Sequence, residues 1–170
     1  MNFLINKKRN ESFFKNAMID KKITIYEKCL PDCAKEIRQI VFEKEQGFTD
    51  EFDETDETAT HFVAHDEDGK PVGVCRLFYD ETRGSYILGR LAVLREYRSR
   101  HIGAELICAA EQYARGLGGS SICLHAQCQA AEFYHKQGYA AFAKPDEEQG
   151  CPHIWLRKDL PAQEDAAGMI

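Results

Sequence analysis

The chain has 170 residues, 44% hydrophobic and 29% charged, with 28 acids against 22 Lys and Arg for a net charge of −6. A domain of that size buries roughly 70% of the surface its unfolded chain exposes, so it needs no disulfide or metal staple. No apolar run reaches the roughly 18 residues of a membrane span, and the acidic balance argues against general nucleic-acid binding, which relies on neutralising phosphates.

In chain order, residues 1–21 read as a basic N-terminal extension. Through Lys22 the chain carries six Lys and Arg against Glu11 and Asp20, a local charge of +4 that leaves −10 on the rest. The opening lacks the charge order and cleavage site of a secretion signal, which points to a cytoplasmic protein. From Lys22 to Cys29 apolar and polar residues alternate, the period of a half-buried strand. Pro31 to Gln46 places Cys33, Ile37, Ile40, Val41 and Phe42 at helical spacing, with Pro31 and Asp32 as start signals. Gly47 to Thr58 breaks that pattern and holds six acids: Asp50, Glu51, Asp53, Glu54, Asp56 and Glu57. It reads either as a solvated surface loop or as an attractor for a cationic amine.

His61–Asp66 and Val72–Tyr79 flank the turn cluster Asp66-Glu67-Asp68-Gly69, a hairpin signal. His61 and His65 read as surface residues of that hairpin. Tyr86–Leu94 follows as a third strand. Ile102–Gly116 forms a helix with one buried face through Ile102, Leu106, Ala109, Ala110 and Tyr113. Ser121–Ala126 is a strand, Gln129–Gln137 a short helix, Tyr139–Lys144 a strand and Pro152–Arg157 the last strand. Residues 22–160 make one domain and residues 161–170 a flexible tail. The fold class is α/β with a mixed sheet. Tight turns make the sheet mostly antiparallel, the Tyr86–Ala126 unit is a right-handed parallel crossover, and helices cover both faces.

Seven scattered cysteines without a CxxC read as reduced thiols. Neither Cys29 with Cys33 nor Cys123, His125 and Cys128 supplies four converging ligands, so no metal is expected.

The segment Tyr97-Arg98-Ser99-Arg100-His101-Ile102-Gly103-Ala104 lies between a strand and a helix. A helix start leaves backbone N–H groups unpaired and adds partial positive charge. Ser99, Gly103 and Ala104 let an anion approach closely, while Arg95, Arg98 and Arg100 supply cations. Together they predict a phosphate-binding helix N-terminus. No GxxxxGK[ST] run or early GxGxxG is present, which argues against a P-loop or a dinucleotide fold.

The same segment resembles the acyl-CoA pyrophosphate loop of the GNAT superfamily of N-acetyltransferases, Gln/Arg-x-x-Gly-x-Gly/Ala. Arg98 takes the first place and Gly103 the last, with His101 where the family has its middle glycine. Gly89-Arg90-Leu91-Ala92-Val93 resembles the family's Leu-Ala-Val strand, which runs beside pantetheine. Ala130 to Tyr139 resembles the family segment Ala-x-x-x-Tyr-x-Lys-x-Gly-Phe/Tyr. The resemblance spans about residues 22–159, and Phe42–Gly47 with Pro152-His153 is similar to a bacterial subgroup of uncharacterised GNAT enzymes.

The resemblance implies direct transfer of acetyl from acetyl-CoA to a primary amine of a small molecule or peptide. Backbone at Leu91, Ala92 and Val93 would hold the thioester carbonyl, and residues Arg98, Ser99, Arg100, His101, Ile102, Gly103 and Ala104 the pyrophosphate. Gln127 stands where relatives carry an Asn that contacts the cofactor. Tyr134 matches the general acid that protonates the leaving thiolate, or else is a core aromatic. Glu45, His125 and His153 are three candidates for the base that deprotonates the amine. The resemblance also admits a homodimer. A rival of another class is a non-catalytic acyl-CoA-binding sensor or scaffold, which the loss of glycine at position 101 would suit. RNA binding through residues 1–22 ranks last.

Overall fold

The computed structural model describes residues 22–162. The expected basic extension, and the tail beyond residue 162, lie outside the described residues. The first strand, β1 (Ile23–Glu27), leads into helix α1 (Asp32–Arg38), whose axis continues as a π-helical stretch (Gln39–Glu45). A 3-10 turn (Glu54–Glu57) precedes β2 (Thr60–His65), β3 (Pro71–Asp80) and β4 (Ser85–Val93). Helix α2 (Ile102–Gly116) crosses to β5 (Ser121–Gln127), then come α3 (Ala131–Lys136), β6 (Ala140–Ala141), β7 (Asp146–Glu148) and β8 (Cys151–Asp159).

The strands form one sheet in the order β1-β2-β3-β4-β5-β8-β6, with β7 also paired to β8. Every pairing is antiparallel except β4 with β5, which follows from the α2 crossover. The expected mixed sheet with a single parallel crossover is therefore present. Its faces are covered separately. Cys75 and Leu77 of β3 pack with Phe62, Leu88, Leu106 and Ala110 under α2, while Val74 packs with Val63, Ala92, Ile37 and Val41 under α1. Burial on both faces makes β3 a nearly continuous apolar run rather than an alternating one.

Three local expectations need correction. His61 is 1% exposed and not a surface residue, its Nε2 lying 2.9 Å from the Asp56 carbonyl. The strand expected over Tyr139–Lys144 shrinks to Ala140–Ala141. In its place Asp146–Glu148 pairs with β8 through a turn whose central residues, Gln149 and Gly150, have φ of 49° and 74°. Positive φ at both central residues matches the twist of a tight hairpin.

The acidic stretch is only partly a solvated loop: Asp50, Asp53, Glu54 and Glu57 are exposed, whereas two of its acids are not. Glu51 and Asp56 are buried with Arg38 and Arg76. Arg38 Nε donates to Glu51 at 2.8 Å and its Nη1 to Asp56 at 2.7 Å; Arg76 donates to Asp53 at 2.6 Å and to Asp56 at 2.9 Å. Burial pushes the Asp56 carboxyl up, but the bond and charge of Arg38, with Arg76, reverse this and hold it at about 2. Burial raises Glu51 despite Arg90 and Arg38, and burial lowers His61, which sits neutral at the edge of the cluster.

Candidate active site

Between β4 and β5 the hydrogen-bond ladder is confined to Tyr86 opposite Ile122 and Ile87 opposite Cys123. Beyond those pairs the strands part, and a cavity of about 210 Å³ opens between Leu88–Leu91 and Leu124–Gln127. A β-bulge lies on the other edge of β4, where it pairs with β3. Val74 faces Ala92 and Arg76 faces Gly89, so Arg90 and Leu91 together oppose Cys75. Arg90 takes φ 53°, the left-handed conformation that such a bulge ordinarily assigns to glycine.

The start of α2 lies beside the cavity, where a Cβ at Gly103 would be 3.9 Å from the lining residue Leu91. His101 caps that helix with φ 62° and ψ 7° and contributes no side-chain cap bond. The first intrahelical bond runs from the Glu105 N–H to the His101 carbonyl. The N–H groups of Ile102, Gly103 and Ala104 therefore have no partner within the helix, and the helix dipole points at them. Ser99 is also left-handed, at φ 63°. Gly103 is held close: a Cβ there would lie 3.2 Å from Phe133 Cζ. These features fit a pyrophosphate. The arginines are deployed unevenly around them. Arg98 Nε donates to the Val93 carbonyl at 3.0 Å and its Nη2 to Glu45 at 2.9 Å, with Arg95 3.6 Å from the same carboxylate. Arg100 lies over the Tyr97 ring.

Tyr134 lines the cavity from α3. Burial pushes its phenol well above the ordinary value of 10.0, with a smaller contribution from nearby Cys75. Among the described residues its hydroxyl makes no hydrogen bond, so the proton is held and undirected. Gln127 also lines the cavity, but its amide donates to Gln46 Oε1 at 2.7 Å and accepts from Gln129 at 2.8 Å.

The opposite wall comes from β5, β7, β8 and the chain after α1. His125 is stacked on Trp155, and its Nε2 lies 2.6 Å from Asp146 and its Nδ1 3.1 Å from Glu148. His153 lies beside it, ring centroids 4.9 Å apart, with Phe48 edge-on. Asp50, Glu51 and Glu148 give this wall an acidic lining.

The structure thus brings Leu91, Tyr134, His125, Gln127 and His153 to one cavity. Ala92 turns its side chain into the α1 core and Val93 packs toward α2, and neither lines the cavity. Glu45 is not among the cavity residues; it stands with Arg98 beside the α2 start. The reading of the sequence passed over Arg90, Phe48, Asp146 and Glu148. The Gln149-Gly150 pair was the one signal that could have exposed the last two, by marking a hairpin.

Residues 29–160 match the acetyltransferase (GNAT) domain family. The chain belongs to the GNAT family. The uncharacterised N-acetyltransferase YjcF of Bacillus subtilis is 36% identical over 126 residues, covering 72% of this chain and 88% of that one. The uncharacterised protein YyaT of the same organism is 34% identical over 132 residues, 75% and 87% of the two chains. A crystal structure of an acyl-CoA N-acyltransferase from Pseudomonas aeruginosa superposes with a TM-score of 0.70 at 24% identity, covering 80% of this chain and 97% of that one. An aminoglycoside 6'-N-acetyltransferase solved with coenzyme A superposes at 0.65 and 19% identity, over 84% and 99%. Both structures share the GNAT fold.

Among the described residues no His, Cys, Asp and Glu cluster could hold a metal ion, and no helix is long and apolar enough to cross a membrane. All seven cysteines are free thiols.

Proposed function

We propose that this GNAT protein transfers an acetyl group from acetyl-CoA to a primary amine of a small molecule or peptide, by direct attack of the amine on the thioester. The observation that carries the reading is the cavity opened between β4 and β5. The uncapped N-terminus of α2 abuts it, where a Cβ at Gly103 would lie 3.9 Å from the lining residue Leu91, and the same cavity holds Tyr134, a phenol without a hydrogen-bond partner among the described residues. Acetyl-CoA supplies the thioester carbonyl when bound. Ile102, Gly103 and Ala104 would offer N–H groups to the pyrophosphate, and Arg98 and Arg100 its charge balance. Backbone N–H groups near Leu91–Val93, released from pairing on the β5 side, polarise the carbonyl oxygen. Tyr134, kept protonated by burial, gives its proton to the departing thiolate. The acidic wall of Asp50 and Glu148 favours a cationic acceptor. Free thiols at all seven cysteines suit the reducing cytoplasm.

Calorimetric titration with acetyl-CoA, with ATP and NAD as controls, tests the reading. Micromolar one-to-one binding specific to acetyl-CoA, followed by acetyl transfer in an amine screen read by mass spectrometry, is the expected result. Binding without transfer to any amine favours a cofactor-sensing module, and absence of binding overturns both.

A further inference from the structure

We infer that His153 Nε2 is the base that takes the proton from the acceptor ammonium, an assignment that rests on the acetyltransferase reading of the cavity. Three histidine and carboxylate groups were open to that role, and their surroundings separate them. Glu45 is occupied by Arg98 and Arg95 at 2.9 and 3.6 Å and lies off the cavity wall. His125 faces a carboxylate from each ring nitrogen, Asp146 at 2.6 Å and Glu148 at 3.1 Å. Two carboxylate acceptors are satisfied together only by a ring with an N–H on both nitrogens, which leaves no lone pair for an incoming proton.

His153 differs in kind. Its Nδ1 lies 2.8 Å from the Cys151 carbonyl, which can only accept, so Nδ1 carries the proton. The side chain is 8% exposed, lines the cavity, and its Nε2 has Glu148 as its nearest charged neighbour at 4.0 Å, too far for a hydrogen bond. A buried ring that lines the cavity with a fixed tautomer and a second nitrogen free of hydrogen bonds is arranged to receive a proton. The charged or titratable groups around it are His125 on β5, Asp146 and Glu148 on β7, and Asp50 and Glu51 on the loop after α1. Glu148 bridges the two histidines and stabilises the imidazolium once it forms.

The ammonium N–H bond breaks toward His153 Nε2, the amine lone pair forms the N–C bond, and the C–S bond breaks with its electrons on sulfur. Tyr134 protonates that sulfur, and the second amine proton returns to the Tyr134 oxygen through solvent.

The test uses the full chain. Long-range proton–nitrogen spectra of the histidine rings, assigned with His153→Gln and His125→Gln, should show His153 neutral with the proton on Nδ1. A proton on Nε2 overturns the assignment. In parallel, acetyl transfer is followed by mass spectrometry with ethanolamine, protonated at pH 7.5, and hydroxylamine, already neutral there. His153→Gln should slow transfer to ethanolamine by about a hundredfold or more, yet leave hydroxylamine within about threefold. The ethanolamine defect should shrink at pH 10. Equal slowing of both amines with acetyl-CoA binding retained overturns His153 alone. Binding without transfer to either amine by the wild type overturns the catalytic assignment, and loss of acetyl-CoA binding by the wild type overturns the acetyltransferase reading beneath it.

Discussion

Arg90 Nε lies 3.1 Å from the Glu51 carboxylate and 3.2 Å from the Glu51 carbonyl, tying the bulge of β4 to the buried acid of the loop before β2. The left-handed φ of Arg90 is what aims its side chain there, so the ion pair and the bulge hold each other in place. Glu51→Gln should therefore act twice. It leaves Arg38 and Arg90 without their shared carboxylate, but because burial raises Glu51 despite both arginines, its cost in urea denaturation should be smaller than that of Asp56→Asn. It should also lower acetyl transfer while the fold persists, because the β4 edge loses its anchor.

Acid should weaken the fold through the same cluster. Asp56 is held at about 2, below its ordinary value of 3.8, and Asp53 is also lowered. A carboxylate with a depressed folded value contributes stability that is present above the unfolded value and lost as pH falls toward the folded one. Asp56→Asn should thus be markedly less stable than the wild type at pH 7, with the gap narrowing between pH 4 and pH 2. Glu51, raised by burial, works in the opposite sense in both proteins and cancels from the comparison. Urea midpoints across that range read the effect.

His101 holds a backbone conformation that costs a residue with a Cβ about 1 kcal/mol. His101→Gly should gain up to about 0.5 kcal/mol in denaturant unfolding, the relief of that strain less the extra unfolded-state entropy of glycine. Affinity for acetyl-CoA should be kept or improved. Weaker binding would show that the imidazole itself contacts the cofactor.

At Gly103 the limiting contact is Phe133. Gly103→Val should push α2 from α3 and weaken acetyl-CoA binding at least about tenfold, as overpacking of a close contact displaces backbone. Adding Phe133→Leu should restore most of the loss, which calorimetry on the single and double variants would establish.

Tyr134→Phe should reduce kcat by roughly a hundredfold or more while the acetyl-CoA Kd stays level. Because burial raises the phenol, wild-type turnover should not decline on the alkaline side through pH 10 by loss of this proton. A pH–rate profile of both proteins checks the two statements together.

What could be read from the sequence was whatever local chemistry decides. Helix α2 runs from Ile102 to Gly116 because its apolar face recurs at helical spacing and its small residues sit at its start. The β2–β3 hairpin followed from Asp66–Gly69. The ion cluster did not, because Arg38, Arg76 and Arg90 are scattered over three elements and only the fold brings them to the acids. His61 was misplaced for the same reason: β2 is covered on both sides, so alternation no longer marks an outward residue. The β7 strand was invisible because Asp146, Glu147 and Glu148 are all exposed acids with no alternation, and its turn uses Gln149 rather than Asn or Asp. That omission hid the carboxylates that fix His125 and flank His153.

The β7–β8 turn is fastened to the loop after α1 by a clasp at Thr49, which takes a 2.8 Å bond from the Gln149 side chain and returns a 2.9 Å bond from its own N–H. The start of α2, where the proposed function puts the pyrophosphate, is built from the middle of the chain and among the described residues shares no hydrogen bond with that clasp. On the proposed reading, acceptor choice and cofactor choice are written in separate stretches of the gene. A lineage carrying this fold can trade one hairpin and its clasp for another and meet a new amine, with the acetyl-delivering half left as it was.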